Sequence, residues 1–368
     1  MIRQPGPVLL LAPSRGLGGG IERYVATVQS AFADQGVAHQ RLDLARPGPA
    51  GHRALLAEAA AALAGIAEPA RVIVAHRALL PVAALLARFR RVGGISVICH
   101  GSDVWGARSG PRWLAESWLM RRRDVRTVAV SGFTAGALFP TALVPGTRAT
   151  ILPPGLSADW FGELVAAADA ADADRGPRPR PRPVPGAGLE LMTAFRLDDW
   201  RGKGLPELVC AVAALGRTDV RLTVCGSGEP PADLLAQLGG YPWCRLRPGL
   251  TDRELARQLA AADLFVLATR TRSGRRASGE GFGLVLLEAQ VAGTAVIGPA
   301  HGGSPGAYLD GLTGVTPRDE SVAALTAVLG ELLRDPALLA DMGARGAAWA
   351  RASFAPDRYA ALAVDRLL

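Results

Sequence analysis

The chain has 368 residues, of which 49% are hydrophobic and 20% are charged, and its formal net charge is +8. Its length is about twice that of a typical domain and its composition allows sizeable cores, so we expect two globular domains and exclude a disordered polyelectrolyte. The positive charge suggests nucleic acid, but the arginines are mostly scattered. We therefore expect no nucleic-acid partner, only tolerance of an anionic surface or substrate.

The apolar runs of the sequence give no sign of export or of a membrane-spanning segment. Met1–Leu11 has the pattern of neither a signal peptide nor a transit peptide. No apolar run approaches the roughly 18 to 20 residues that a spanning helix needs, so we expect a cytoplasmic protein, with the inner face of the membrane as an alternative location. We expect buried thiols rather than disulfides at Cys99, Cys210, Cys225 and Cys244.

Strand-like runs alternate with helical patterns from the beginning of the sequence. The runs are "VLLLAPS", "HQRLDLA", "RVIVAH", "ISVICH" and "RTVAVS", and this alternation predicts a parallel, doubly wound sheet. The pattern breaks between Glu163 and Gly188, where "DRGPRPRPRPVPGAG" predicts a linker. It then restarts with "LELMTAF", "VRLTVCGSG", "CRLRPG", "LFVLAT" and "TAVIGP".

The sequence therefore predicts an α/β protein with two Rossmann-like, doubly wound domains facing a cleft. We expect a first domain at residues 1–175, a linker at 176–188, a second domain at 189–350 and a C-terminal helix at 351–368. Ligands of open parallel sheets bind beyond the carboxyl ends of the strands. This rule marks Gly16–Gly20, His76, His100–Asp103, Ser131, Arg196–Lys203, Gly226–Glu229 and Ser278–Ala289.

The segment "SGEGFGLVLLEA" places two glutamates eight positions apart around the start of a predicted helix, Gly283–Gly293. The first turn of a helix has N–H groups without a partner inside the helix, and these suit a phosphate. Spacing alone does not separate two interpretations. The two glutamates bind a ligand, or Glu280 is a capping acid and Glu288 is a solvated helix residue.

This segment resembles the E-x7-E signature of retaining glycosyltransferase family 4, whose members have the GT-B fold. "TAFRLDDWRGKGLPELVCAV" resembles the family segment in which an arginine and a lysine bind the donor pyrophosphate, here Arg196 and Lys203. The resemblance implies a retaining transferase that moves a sugar from a nucleoside diphosphate, with UDP favoured over GDP, to a hydroxyl of a glycan, a glycolipid or a secondary metabolite. It extends from about Val8 to the last helix, which in this fold commonly crosses back to the first domain.

The resemblance also implies roles for the remaining candidate residues. His100, Glu280, Arg196 and Lys203 form the expected catalytic set, with Glu280 and His100 at the donor sugar. The expected donor-binding set, in which Glu288 binds the ribose hydroxyls, is Gly18, Gly19, Gly20, Gly226, Gly249, Leu250, Phe282, Gly283, Leu284, Val285 and Glu288. Further sugar or acceptor contacts are expected at His76, Asp103, Arg275 and Arg276.

We expect neither a cofactor nor a metal ion. Asp198 and Asp199 are adjacent, which is not the D-x-D spacing of metal-dependent glycosyltransferases, and the two cations of the same loop supply positive charge. Pro154 and Ser157 stand where the family usually has Asn and Asp, and Gly306 where an acid is common. These departures concern the substrate rather than the reaction class.

Three alternative interpretations remain open. The glycine loop "SRGLGGGIERYV" fails the G-x-G-x-x-G pattern, although Asp43 resembles the ribose-binding acid of a dehydrogenase. A nucleotide-sugar epimerase would share the fold. The third alternative is a non-catalytic basic module that binds nucleic acid or a membrane surface. A peripheral membrane contact is suggested by "PRWLAESWLMRRR", which could form an apolar helix face of Trp113, Leu114, Trp118 and Leu119 beside Arg121–Arg123.

Overall fold

The structure is a computed structural model that describes residues 6–13, 19–105, 110–175, 188–274 and 277–368. Internal contacts divide the chain into two units. The first unit comprises Met1–Ser157, Ser273–Gly281 and Pro356–Leu368, and the second comprises Ala158–Arg272 and Phe282–Ala355.

This division differs from the expected domain boundaries. Ala158–Arg175, which we expected in the first domain, groups with the second unit, and Ser273–Gly281 groups with the first. The expected linker lies outside the described residues except for Gly188.

The described strands form two six-stranded sheets, and the pairs in both sheets are parallel. The order is β2-β1-β3-β4-β5-β6 in the first sheet and β12-β11-β10-β7-β8-β9 in the second. The strands are β1 Val8–Ala12, β2 His39–Asp43, β3 Ala70–Val74, β4 Val92–Cys99, β5 Val125–Ala129, β6 Ala149–Ile151, β7 Leu189–Arg196, β8 Val220–Ser227, β9 Cys244–Pro248, β10 Leu264–Val266, β11 Ala295–Ile297 and β12 Gly314–Val315.

Helices connect these strands and confirm the predicted α/β architecture. In chain order the described helices are α1 Gly20–Asp34, α2 Pro49–Ala64, α3 Leu80–Leu86, α4 Gly101–Val104, α5 Pro111–Met120, α6 Gly132–Ala142, α7 Ala158–Arg175, α8 Leu205–Ala214, α9 Ala232–Gly239, α10 Asp252–Ala261, α11 Leu284–Val291, α12 Val322–Leu332, α13 Pro336–Ser353 and α14 Pro356–Leu367.

The first sheet is buried on both faces. Leu9 and Leu11 of β1 face the core formed with α2, α3, α5 and α6, whereas Leu10 faces the core formed with α1 and α14. A strand covered on both faces needs apolar side chains at consecutive positions, which explains the run "VLLLA". The first sheet therefore has one apolar core on each face, and these cores hold its strands in place.

The second sheet has a core of its own. Leu191 and Leu222 lie in a cluster with apolar side chains of α8, α9, α12 and α13. Helix α10 packs against α7, and α11 packs against α7 and α13. Helix α11 is thus held by neighbouring helices of its own unit.

The cysteines follow the expectation except at one position. Cys99 and Cys225 are buried and Cys244 is partly buried, but Cys210 is exposed. Cys210 lies on the outward side of α8, whose neighbouring positions Leu208 and Val209 face the core. None of the described helices is both long and apolar enough to cross a membrane.

Candidate functional site

Two histidines lie together at the carboxyl edge of the first sheet. His76 follows β3 and His100 follows β4, and these strands are parallel neighbours. The imidazole rings are nearly parallel, with centroids 6.1 Å apart. Both residues thus lie beyond the carboxyl ends of strands, where ligands of parallel sheets bind.

His100 is a buried, neutral hydrogen-bonding group. Its Nε2 lies 2.9 Å from the carbonyl oxygen of Ala75, which can only accept, so Nε2 carries the proton and donates it. Burial lowers the pKa of His100 to about 4. The edge of the Tyr24 ring packs on the imidazole at a centroid distance of 5.4 Å. At neutral pH this side chain is therefore uncharged.

Asp103 connects the two histidines. Its Oδ2 accepts a 2.9 Å hydrogen bond from the backbone N–H of His100, and its Oδ1 lies 3.5 Å from Nε2 of His76. The other ring nitrogen of His76, Nδ1, accepts from the backbone N–H of Ala78 at 3.0 Å. The structure therefore brings His76, His100 and Asp103 into one polar cluster, in which the carboxylate of Asp103 contacts both histidines.

The segment that carries Glu280 packs against this cluster by glycine contacts. A β-carbon placed on Gly101 would lie 2.5 Å from Cα of Gly281. One placed on Gly279 would lie 2.2 Å from the indole of Trp105. The glycines on both sides of Glu280 therefore permit a close backbone approach, and Glu280 belongs to the same unit as His100.

In the second unit, α11 begins at a glycine in the left-handed region. Gly283 caps the helix with φ +81°, and Leu284 and Val285 form the first turn. First-turn N–H groups and the helix dipole favour an anion at this position. The ring of Phe282 is buried 6.4 Å from the ring of Phe354, so the side chain of this expected donor-binding residue is a packing element.

The loop after β7 carries the two expected cations. Arg196 is half exposed and pairs with Asp198 at 3.4 Å. The backbone N–H of Lys203 donates to the carbonyl of Asp199 at 2.9 Å. Gly204 has φ +71°, and a β-carbon there would lie 1.9 Å from the carbonyl oxygen of Ala268. Only glycine allows this loop to approach the strand end so closely.

Arg270, which the sequence did not identify, fastens the same loop. Its backbone N–H donates to the carbonyl of Gly202 at 2.9 Å. Its Nε lies 3.5 Å from a carboxylate oxygen of Glu207 and 3.6 Å from one of Glu320. The backbone of one arginine thus holds the loop that carries Lys203, and its side chain pairs with a carboxylate of α8, the helix that follows the loop.

The glycines expected near the nucleobase occur at the ends of two neighbouring strands. The backbone N–H of Gly249 donates to the carbonyl of Gly226 at 2.9 Å. A β-carbon on Gly226 would lie 2.4 Å from the carbonyl oxygen of Phe195, and Gly249 has φ +67°. Leu250 follows in the turn that leads to α10. This edge therefore presents backbone groups close to the end of β7.

Glu288 is buried, with 4% of its surface exposed, rather than a solvated helix residue. The indole Nε1–H of Trp160 on α7 donates to Oε1 of Glu288 at 3.0 Å. Trp160 is also buried, with 7% exposure. Sequence reasoning missed Trp160, although it lies three positions after Ser157, one of the departures from the family pattern.

Some expected residues lie elsewhere. Gly19 caps α1 with φ +99° and Gly20 is the first residue of that helix, whereas Gly18, Arg275 and Arg276 lie outside the described residues. Ser131 caps α6, with its Oγ accepting from the N–H of Thr134 at 3.1 Å. Within the described ranges, no cluster of three or more His, Cys, Asp or Glu side chains could hold a metal ion.

The face expected on α5 is divided between core and solvent. Leu119 is only 4% exposed, and the indole of Trp113 donates to the carbonyl of Thr141 at 2.8 Å. Leu114 and Trp118, one helical turn apart, are 56% and 59% exposed. Of the four side chains that could have formed one apolar face, Trp113 and Leu119 therefore do not join Leu114 and Trp118, because helical periodicity turns positions 114 and 118 outward and position 119 inward.

The neighbouring helices α3 and α6 also carry exposed apolar side chains. Helix α5 packs against α3 and α6, and we use the name outer apolar face for the exposed side chains of Leu85, Phe89, Leu114, Trp118 and Phe139. Arginines occur in the same segments: Arg88, Arg90, Arg91, Arg121, Arg122, Arg123 and Arg148. The guanidinium of Arg122 lies 5.6 Å from the centre of the Trp118 ring, which places charge directly beside the apolar surface.

Comparisons with known proteins agree with this architecture. A family model described as Glycosyl transferases group 1 matches residues 190–335. The GDP-mannose-dependent alpha-(1-6)-phosphatidylinositol monomannoside mannosyltransferase of Mycolicibacterium smegmatis is 32% identical over 285 residues, which are 74% of this chain and 70% of the relative. A D-inositol 3-phosphate glycosyltransferase of Streptomyces scabiei is 39% identical over 132 residues, covering 36% of this chain and 28% of the relative.

A solved structure shares the fold over nearly the whole chain. Sucrose-phosphate synthase from Thermosynechococcus elongatus has a TM-score of 0.75 at 17% identity, with 98% of each chain covered. At this identity the likeness establishes the fold alone. That fold is GT-B, with two doubly wound α/β units.

Proposed function

The chain belongs to the group 1 glycosyl transferases, the glycosyltransferase family 4 enzymes, and on that premise we propose that it transfers mannose from GDP-mannose to an inositol-phosphate lipid. The observation that carries this proposal is the 32% identity to a GDP-mannose-dependent enzyme over 74% of the chain. The sequence alone favoured a UDP-sugar. The donor named for this relative is the reason to propose GDP-mannose instead.

We assign the donor to the second unit. Arg196 and Lys203 would neutralise the diphosphate, together with the first turn of α11. Backbone groups of Gly226, Gly249 and Leu250 would contact the base, and Glu288 would accept hydrogen bonds from the ribose hydroxyls. The support lies in the positions of these groups, since the loops that carry the cations and the glycines follow adjacent parallel strands.

The proposed reaction retains the configuration of the sugar carbon. The bond from this carbon to the diphosphate oxygen breaks, the acceptor oxygen bonds to the same face of the carbon, and the acceptor proton passes to an oxygen of the leaving diphosphate. Arg196 and Lys203 would stabilise the charge that develops on the leaving group without a metal ion. Neutral His100 and Glu280 would bind hydroxyl groups of the sugar.

The proposed acceptor is a lipid with an inositol-phosphate headgroup. Two observations support it: the Mycolicibacterium smegmatis relative is named for a phosphatidylinositol monomannoside acceptor, and the first unit carries the outer apolar face. An apolar surface flanked by arginines suits an anionic membrane surface. The acceptor headgroup would then be presented to the enzyme at the membrane surface.

Two measurements test the proposed function. Thermal unfolding is followed with GDP, UDP and ADP, because a ligand at 100 times its dissociation constant stabilises a protein by about 2.7 kcal/mol. We expect a shift with GDP that Lys203→Ala abolishes. Labelled GDP-mannose is then incubated with phosphatidylinositol monomannoside in vesicles, and the product linkage is read by NMR.

Each contrary result has a distinct meaning. A shift with UDP alone would overturn the donor assignment while leaving the reaction class. An inverted linkage in the product would overturn retention. Conversion of the sugar of GDP-mannose without transfer to the lipid would favour the epimerase alternative.

A further inference from the structure

The contact between Trp160 and Glu288 joins two helices of the second unit. Trp160 is the third residue of α7, Glu288 is the fifth residue of α11, and the two helices pack against each other. The indole N–H donates to Oε1 of the carboxylate at 3.0 Å, and both side chains are buried. The two residues are 128 positions apart in the sequence.

A buried carboxylate needs hydrogen-bond donors, and an indole supplies one in a fixed direction. The tryptophan ring is rigid and buried, so its single N–H holds Oε1 in a fixed direction. Hydrogen bonds to charged groups are stronger than those between neutral groups. The contact therefore restricts the rotation of the carboxylate before any ligand binds.

The position of Glu288 gives this restriction a functional meaning. Side chains of a helix lean towards its amino terminus, so the carboxylate of Glu288 is directed towards the turn that begins at Leu284. This is the turn to which the proposed function assigns the diphosphate. A carboxylate held beside that turn is suited to accept hydrogen bonds from the ribose that precedes the diphosphate.

We infer that Trp160 is a positioning residue that orients the carboxylate of Glu288 for the ribose hydroxyls of the donor nucleotide. This inference rests on the proposed function, in which Glu288 binds the ribose. Trp160 itself would not touch the nucleotide. Its contribution is to fix the geometry of the carboxylate in advance, which lowers the ordering cost of binding.

The test compares ribose discrimination in matched variants. Isothermal titration calorimetry measures GDP, 2′-deoxy-GDP and 3′-deoxy-GDP binding to the wild-type chain, to Trp160→Phe and to Glu288→Ala. Trp160→Phe keeps an aromatic ring but removes the N–H. A general destabilisation of the fold would weaken the binding of all three nucleotides equally. The ratio of their dissociation constants therefore reports on the ribose contact alone.

We expect the wild-type chain to bind GDP about tenfold more tightly than at least one deoxy analogue, as loss of a hydrogen bond to a charged group implies. Trp160→Phe should remove most of that difference, and Glu288→Ala should remove all of it. Trp243→Phe is the control, because Trp243 lies in the same unit before β9 and packs against Tyr241. Its ratio should equal that of the wild-type chain.

The outcomes separate the inference from the function on which it rests. If Glu288→Ala abolishes the discrimination and Trp160→Phe leaves it intact, the positioning role is wrong and the proposed site stands. If Glu288→Ala keeps the wild-type ratio, the ribose assignment fails and the inference fails with it.

A second measurement applies if Trp160→Phe does not fold. The indole ¹⁵N–H resonance of Trp160 is followed in the wild-type chain during titration with GDP and with 2′,3′-dideoxy-GDP. A larger shift of this resonance with GDP supports the inference, because the ribose hydroxyls would donate to the same carboxylate that accepts from the indole N–H. Equal shifts, or none, would overturn it.

Discussion

Gly101 and Gly281 approach each other so closely that neither position has room for a side chain. A β-carbon on Gly101 would lie 2.5 Å from Cα of Gly281, and one on Gly281 would lie 2.7 Å from the backbone nitrogen of Gly101. Both partners are backbone atoms, which cannot swing aside as a flexible side chain can. The contact therefore fixes the distance between the turn that follows His100 and the segment that carries Glu280.

Gly281→Ala should displace Glu280 and lower turnover. A misplacement of about 1 Å at a reacting group can cost about 100-fold in rate, so we expect kcat to fall by roughly ten- to 100-fold. The matched control is Gly136→Ala on α6, where an added β-carbon meets no atom within 4 Å. Mannosyl transfer and urea unfolding are measured for both variants. Wild-type turnover in Gly281→Ala would show that the close approach has no catalytic role.

Lys203→Ala should lower kcat/KM by roughly 100- to 1,000-fold, since removal of one group that stabilises transition-state charge typically costs about 3 to 4 kcal/mol. Arg201 is a matched control because it carries the same charge two positions away. Its guanidinium stacks 4.1 Å from the Trp200 ring and pairs with Asp233. Steady-state kinetics with GDP-mannose should show Arg201→Ala within a few-fold of the wild type. Equal losses in the two variants would mean that only the net charge of the loop matters.

The sequence is sufficient to predict features that depend on local pattern and on the rule for parallel sheets. The alternation of apolar and helical runs predicts both sheets, and the rule for strand ends marks His76 and His100 as residues of the carboxyl edge. These predictions succeed because strand identity and parallel pairing determine which loops lie at one edge.

Contacts between distant segments could not be predicted in this way. Trp160 reaches Glu288 only because α7 packs against α11, and no local pattern encodes that packing. The contact of Gly279 with the Trp105 ring has the same origin. The exposed side of α5 could not be predicted either, because its apolar residues occur as the adjacent pairs Trp113-Leu114 and Trp118-Leu119, and the sequence did not indicate which member of each pair is buried.

His100 should make the stability of the chain depend on pH. Its native pKa is about 4, whereas an unperturbed imidazole has a pKa of 6.5, so the unfolded chain binds a proton that the folded chain excludes. Stability should therefore fall as the pH decreases from about 6.5 towards 4, by about 3 kcal/mol for this group. Urea unfolding of the wild-type chain and of His100→Gln at pH 7, 5.5 and 4.5 measures the difference. Identical pH dependence in the two chains would contradict a buried neutral His100.

Transfer should not require a divalent cation. The proposed stabilisation of the diphosphate comes from Arg196, Lys203 and the first turn of α11, so we expect full activity in excess EDTA. Activity is measured after dialysis against chelator and again after addition of Mg²⁺ or Mn²⁺. Loss of activity in EDTA with recovery on adding Mn²⁺ would contradict this prediction.

The outer apolar face should bind anionic membranes. Full burial of a large apolar side chain stabilises by about 1.5 to 3 kcal/mol, and each nearby arginine adds about 1 kcal/mol at an anionic surface. We therefore expect the wild-type chain to sediment with vesicles that contain phosphatidylinositol, and less so with pure phosphatidylcholine or at high salt. The double variant Leu114→Ser, Trp118→Ser should bind the anionic vesicles at least about tenfold more weakly, since both side chains are more than half exposed in the absence of lipid.

The control for this experiment is Leu235→Ser in the second unit. Leu235 on α9 is exposed to a similar extent as Leu114, so it tests whether any exposed leucine contributes. We expect this variant to sediment like the wild-type chain, because α9 lies outside the arginine-rich segments of the first unit. Equal losses in the two variants would indicate nonspecific adsorption. If the double variant binds vesicles like the wild-type chain, Leu114 and Trp118 are not buried in the lipid. Any membrane contact would then lie on another surface.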